Sequence, residues 1–298
     1  MLSKILPANV AYAETDVDVP LDLAWPQEWS AVTRAVDERR RQYVTTRHCA
    51  RRALSQLGLA PVAIPTAPDR SPVWPPGVIG SLTHCPGYRG AAVARRGTLV
   101  AVSGWPAPGP PSMFAAEPSP PSAPAPAPGP SQDHIDLALS AIGIDAEPAR
   151  PGPRGLLDRI ASASERAELA ALAASCLGTP APDGSATELP ATHEPATDSP
   201  APDGPAIPWD RVLFSAKESV FKAWQPLTHL GLEFSEAAVT LQIDGRFAVK
   251  ILREVPADVR GLSWHGRWVI IDGLILTVVL VGTARSRHAV SRAGLPLT

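Results

Sequence analysis

Apolar and polar positions along the chain recur with two different periods, and the changes of period mark its elements. Residues 28–57 set apolar positions at helical spacing among charged ones and stop at Gly58, which predicts a helix. Two strand-like runs follow, VIGSLTH at 78–84 and RGAAVARR at 89–96, and the intervening Cys85-Pro86-Gly87 has turn chemistry. An apolar run, AIGID at 141–145, opens a second series. Helices are predicted over 155–160, over 164–176 with Ser164 as its start, and over 209–224, where Pro226 is expected to end the last of them. Strands are predicted near 237–243, 246–252, 261–271 and 274–281, with Asp244-Gly245 and Asp272-Gly273 as hairpin turns. The long hydrophobic run at 268–282 therefore reads as two buried strands and not as a membrane span, since a turn dipeptide sits in its middle.

Composition divides this pattern. The chain has 298 residues and 35 prolines, and the prolines cluster. Residues 105–132 hold eleven of them among alanine, serine and glycine, too little bulky apolar material to build a core, which predicts a disordered insert. Residues 178–208 repeat PAPDG and are expected to form a mobile loop. The predicted organisation is an N-terminal lobe over 1–104, an insert over 105–133 and a C-terminal lobe over 134–298, each lobe a helix-and-strand layer of α+β type.

Charge narrows the function classes. A formal net charge of -2 supplies no field to hold a nucleic acid, so any phosphate recognition must be local. Cys49, Cys85 and Cys176 lack metal or disulfide spacing, which favours a reducing cytoplasm. The opening MLSKILPANVAYAE imitates a signal peptide, but Pro7 and Asn9 interrupt its short apolar part.

The candidate chemistry lies in two places. Asp145 and Glu147, two apart on an extended run, point to one face at a spacing of about 6.6 Å along the strand. Such a pair suits a hard cation, although a solvated strand end accounts for it as well. The segment FSAKESVFKAW, 214–224, packs Phe214, Val220, Phe221 and Trp224 around Lys217, Glu218 and Lys222. A Glu218–Lys222 helical pair would explain two of those charges, but not the third. The combined hypothesis brings Asp145, Glu147 and Glu218 to one Mg²⁺, with Mn²⁺ as a substitute, and uses Lys217 and Lys222 to neutralise a pyrophosphate substrate.

GIDAEP at 143–148 together with KESVFK at 217–222 resembles the paired signatures of the 4'-phosphopantetheinyl transferase superfamily, in its monomeric two-lobed surfactin-synthetase and enterobactin type. RRRQYVTTRHCARRAL at 39–54 and WPPGVIGSLTHCPGYRGAAVARR at 74–96 are similar to its actinobacterial branch. The resemblance implies a pseudo-dimer of two similar α+β lobes with coenzyme A in the cleft between them. It implies Asp145, Glu147 and Glu218 as metal ligands, Glu218 or an adjacent water as the base for a serine of an acyl or peptidyl carrier protein, and Lys222 as the group facing the departing 3',5'-ADP. Ser81, Thr83 and His84 match the family's serine-x-threonine-histidine stretch, with His84 as a coenzyme A phosphate contact; from the residues alone, His84 could equally satisfy a backbone carbonyl. Arg39 and Arg47 match positions near the 3'-phosphate, and Arg70 stands nearest to the basic position that precedes the tryptophan-proline pair. The long insert between the lobes departs from compact family members. The reaction expected is transfer of 4'-phosphopantetheine to the carrier by a cytoplasmic monomer that binds neither nucleic acid nor membrane. A silent coenzyme A and carrier-binding module, or a Mg²⁺-dependent pyrophosphate hydrolase, are the alternatives.

Overall fold

The computed structural model describes residues 1–102, 135–176 and 207–286, so almost all of both proline-rich segments lies outside the described residues. In chain order the elements are β1 (Ala11–Thr15), α1 (Pro26–Trp29), α2 (Asp37–Gln56), β2 (Val78–Cys85), β3 (Tyr88–Arg95), β4 (Leu99–Ala101), β5 (Ile135–Pro148), α3 (Leu156–Ile160), α4 (Ala163–Cys176), α5 (Trp209–Thr228), β6 (Ala237–Leu241), β7 (Arg246–Ile251), β8 (Ser263–Ile271) and β9 (Leu274–Ser286). The class is α+β, built on two antiparallel sheets.

The smaller sheet has the order β1-β3-β2. Cys49, Ala50, Ala53 and Leu54 of α2 pack on it against Val78, Ala91 and Val93. The larger sheet has the order β4-β5-β9-β8-β7-β6, and α5 covers one face of it through Val212, Leu213, Ala216, Val220 and Ala223. The two sheets share a core in which Ile79, Tyr88, Ala92 and Ala94 meet Ile142, Ile144, Leu276, Val278 and Leu280. The chain thus alternates its core faces along β5, since Ile142 and Ile144 face the smaller sheet while Ala141 and Gly143 face α5. β4 pairs with residues 136–138 of β5 only. Further along, the Ile144 N–H donates to Ser81 Oγ of β2 at 3.0 Å, so the smaller sheet takes over where β4 ends.

The hairpin turn expected at Asp272-Gly273 holds, with both residues at positive φ, 51° and 75°, as a two-residue turn that matches strand twist requires. Among the described residues no helix is long and apolar enough to cross a membrane.

Other local expectations are corrected. The helix expected over 28–57 is two helices. Glu28 is fully buried, accepting from Arg51 at 2.6 Å and from the Ile64 N–H at 2.9 Å, and this inward turn separates α1 from α2. α4 begins after Ser162 and not at Ser164: the Glu165 N–H donates to Ser162 Oγ at 3.2 Å and the Ser162 N–H to Glu165 Oε2 at 2.8 Å, a reciprocal cap. Pro226 does not end α5, which runs on to Thr228 and closes at His229 in the left-handed region, its N–H donating to Gln225 O at 2.8 Å. A proline in the last turn removes one hydrogen bond there, and Trp224, fully buried and donating to Leu230 O at 3.0 Å, holds the turn in place. β1 and β4 are strands of five and three residues that local pattern did not announce.

Candidate functional site

A cleft of about 750 Å³ opens between the two sheets' helices, lined by residues from α2, the segment 66–72, β2, β5 and α5. α2 presents Arg39, Tyr43, Thr46 and Arg47 along one face, as spacings of three and four residues require. The Arg47 guanidinium lies 3.4 Å from the Tyr43 ring centroid and donates to Thr66 Oγ1 at 3.1 Å. Burial brings its pKa down to about 10. Arg39 meets His84 through Nη1 and Nε2. Burial, reinforced by Arg39, Lys222, Arg89 and Arg47, pulls the His84 imidazole down to about 4, so it is neutral at pH 7. Arg70, at positive φ in the segment before Trp74, also lines the cleft.

On β2 the side chains of Ser81 and Thr83 share a face and reach β5. Thr83 Oγ1 donates to Asp145 Oδ1 at 3.3 Å. Asp145, buried on β5, also accepts from Ser215 Oγ at 2.9 Å and from Lys222 Nζ at 2.7 Å. Lys222 donates further to the Ile144 carbonyl at 3.1 Å. One lysine of α5 is thereby joined to β5 and faces β2 across a single carboxylate. Two residues on, Glu147 accepts from Arg211 Nη1 at 3.1 Å. Burial pushes the Glu147 carboxyl up to about 7, with Asp145 and Glu218 adding to the rise and Arg211 and Lys222 opposing it. Glu218 is raised by burial first and by Asp145 second.

Of the eleven residues expected at the site, ten line this one cleft: Arg39, Arg47, Arg70, Ser81, Thr83, His84, Asp145, Glu147, Glu218 and Lys222. Lys222 pairs with Asp145 and not with Glu218, its neighbour one helical turn away. Among the described residues, no three Asp, Glu, His or Cys side chains are grouped so as to enclose a metal ion.

Lys217 is the exception, and its expected phosphate role is corrected. It lies on another face of α5, 3% exposed, where its ammonium donates to Ile160 O at 2.7 Å, Glu165 Oε2 at 3.0 Å and Phe234 O at 2.9 Å. All three ammonium protons are engaged by the core, which leaves none for a phosphate. Lys217→Met is therefore expected to strand Glu165, 4% exposed, as an unpaired buried charge and to cost about 3–5 kcal/mol. The check is chemical denaturation, where Lys217→Met should lower the midpoint markedly.

Sequence reasoning missed Arg211, Ser215 and Thr66, which hold Glu147, Asp145 and Arg47 respectively. Helical spacing could have found Arg211, two turns before Glu218.

The same two halves of the chain match known families. The model of the 4'-phosphopantetheinyl transferase N-terminal domain matches residues 27–94, and that of the 4'-phosphopantetheinyl transferase superfamily matches residues 141–279. The chain is 37% identical to 4'-phosphopantetheinyl transferase Svp of Streptomyces mobaraensis, covering 94% of this chain and 89% of that protein. It is 33% identical to 4'-phosphopantetheinyl transferase PptT of Mycobacterium tuberculosis and 35% identical to 4'-phosphopantetheinyl transferase Npt of Nocardia iowensis, again over 94% of this chain and over 98% and 99% of those proteins. With relatives this similar along nearly its whole length, and with both family models falling on the segments that build the cleft, the chain belongs to the 4'-phosphopantetheinyl transferase superfamily.

Proposed function

We infer that this protein moves the 4'-phosphopantetheine arm of coenzyme A onto a serine of an acyl or peptidyl carrier protein and releases 3',5'-ADP. Residues 1–104 and 134–298 act as two lobes, and coenzyme A binds in the cleft between them. The observation that carries this reading is the junction at Asp145, where Thr83 of the first half and Lys222 of the second meet one carboxylate in a cleft that also holds Arg39, Arg47 and His84. Its volume is of the size that takes a nucleotide.

The basic wall receives the phosphates. Arginine's planar fork suits phosphate oxygens, and Arg39, Arg47 and Arg70 line the cleft together with the carboxylates of β5. His84, neutral at pH 7, offers a ring N–H to a phosphate oxygen without adding to the charge of Arg39 beside it. Ser81 and Thr83 position the β2 edge on β5.

Asp145, Glu147 and Glu218 would hold Mg²⁺, or Mn²⁺ in its place. The donor chemistry is that of a hard cation: three carboxylates line the cleft, Glu147 raised by burial, Asp145 and Glu218, and Glu218 by burial and Asp145; they are not grouped around one point, so a dication would draw them together. Such an ion, when bound, neutralises the pyrophosphate. Glu218 takes the proton of the carrier serine as its oxygen attacks the β-phosphorus of coenzyme A. The bond from that phosphorus to the oxygen bridging to the α-phosphate breaks, and Lys222 stabilises the charge that appears on 3',5'-ADP.

The test is incubation with coenzyme A, with and without an apo-carrier protein, followed by mass spectrometry. A mass gain on the carrier serine with matching 3',5'-ADP is the expected result. Release of 3',5'-ADP without a carrier would indicate a hydrolase. Binding of coenzyme A with no product in either case would indicate a silent module.

A further inference from the structure

α5 carries a stripe of charged residues whose partners on β5 are set in order. Arg211, Glu218 and Lys222 are seven and four residues apart, so all three return to within about 20° of one helix face. Opposite them, Lys222 pairs with Asp145 at 2.7 Å and Arg211 pairs with Glu147 at 3.1 Å. Two cation–carboxylate rungs thus bracket Glu218.

The two rungs differ in kind. Lys222 lines the cleft, whereas Arg211 does not and reaches it only through Glu147. Nor does Arg211 tie its guanidinium to two groups of the fold, as Arg51 does. Arg51 binds both the Glu28 carboxylate and the Leu23 carbonyl, but Arg211 has its Nε buried with no hydrogen-bond partner, and its side-chain hydrogen bond runs to Glu147 Oε2. Phe214, with its ring 5.9 Å from the guanidinium carbon, gives it an apolar neighbour. A contact to Oε2 leaves the other oxygen of Glu147 available to the cleft. A glutamate on a strand has three rotatable bonds, and one directed hydrogen bond from a guanidinium removes most of that freedom.

We propose that Arg211 is a positioning residue, which restrains the Glu147 carboxylate at the cleft that Glu218 and Asp145 also line, so that a divalent cation can draw the three together. The proposal rests on the reading of Glu147 as a metal ligand. Partners of this kind, hydrogen-bonded to a ligating carboxylate, set metal affinity by 10–100-fold when removed.

The experiment titrates Mn²⁺ into the full chain without coenzyme A and follows free Mn²⁺ by electron paramagnetic resonance, for wild type, Arg211→Met, Arg211→Gln, Arg211→Lys, Glu147→Gln and the double variant Glu147→Gln/Arg211→Met. Both neutral variants at Arg211 are expected to bind Mn²⁺ about 10–100-fold more weakly, Arg211→Lys to recover most of the loss, and the double variant to bind no more weakly than Glu147→Gln alone. Wild-type or tighter Mn²⁺ binding by a folded Arg211→Met or Arg211→Gln would overturn the positioning role, as would losses that simply add in the double variant. Wild-type affinity in Glu147→Gln is a separate outcome, which would remove Glu147 from the metal site and with it the reading beneath.

Discussion

Glu218→Gln should reduce phosphopantetheine transfer by about 10²–10⁴-fold, the range that removal of a positioned general base produces. The substitution keeps the size of the side chain and deletes its charge, and Glu218 makes no contact that the core depends on: it lines the cleft on the same helix face as Lys222. Its carboxyl is raised by burial and by Asp145, which makes it a stronger base than an ordinary glutamate. The melting temperature is expected to stay at or slightly above that of the wild type, because a crowded negative charge is lost. Transfer is read as mass gain on a carrier protein at saturating coenzyme A. Undiminished turnover would take Glu218 out of the chemistry.

Gly143→Ala should be strongly destabilising for the addition of a single methyl group. α5 crosses β5 at this point so closely that a Cβ on residue 143 would lie 1.9 Å from the Ser219 carbonyl oxygen and 2.9 Å from the Ala223 nitrogen. Both are backbone atoms, so no side chain can swing aside, and the helix itself must move. Overpacking of a core costs about 1–3 kcal/mol and more where backbone has to shift, so the upper end of that range or beyond is expected. The displacement also reaches the chemistry, since Glu218 and Lys222 ride on α5 and Asp145 and Glu147 on β5. Folded protein that survives should therefore be poorly active. Thermal unfolding and transfer assays together check this, with Gly231→Ala as the control, because a Cβ there meets nothing within 4 Å. Equal behaviour of the two variants would show that α5 does not depend on the close approach.

The depth to which local pattern could be read differs from element to element. Asp145 and Glu147 fall on one face of β5 because side chains alternate along any extended chain, and that is legible without a fold. Lys222 and Glu218 read as a helical pair, yet Asp145 takes the lysine at 2.7 Å. Spacing within a helix says which residues are neighbours on its surface, but a carboxylate from β5, seventy-odd positions away in the chain, competes for the same ammonium and prevails because it is buried and needs a counter-charge. Lys217 shows the limit most directly. It sits beside Glu218 in the sequence, and one residue along a helix rotates a side chain by about 100°, enough to move it from the cleft to the core against Glu165.

The sequence by itself determined the alternation that makes the two sheets, the turn at Asp272-Gly273, the helix of α5 and the kinds of side chain that could meet phosphate and a hard cation, because each depends on the period of the backbone or on the chemistry of single residues. Only the tertiary structure decided which charges face one another: that Lys222 serves Asp145, that Arg211 serves Glu147, that Lys217 serves Glu165, and that Gly143 must carry no side chain. Those outcomes follow from the distance and angle at which α5 crosses β5, a quantity to which residues far apart in the chain contribute together and that no local window contains.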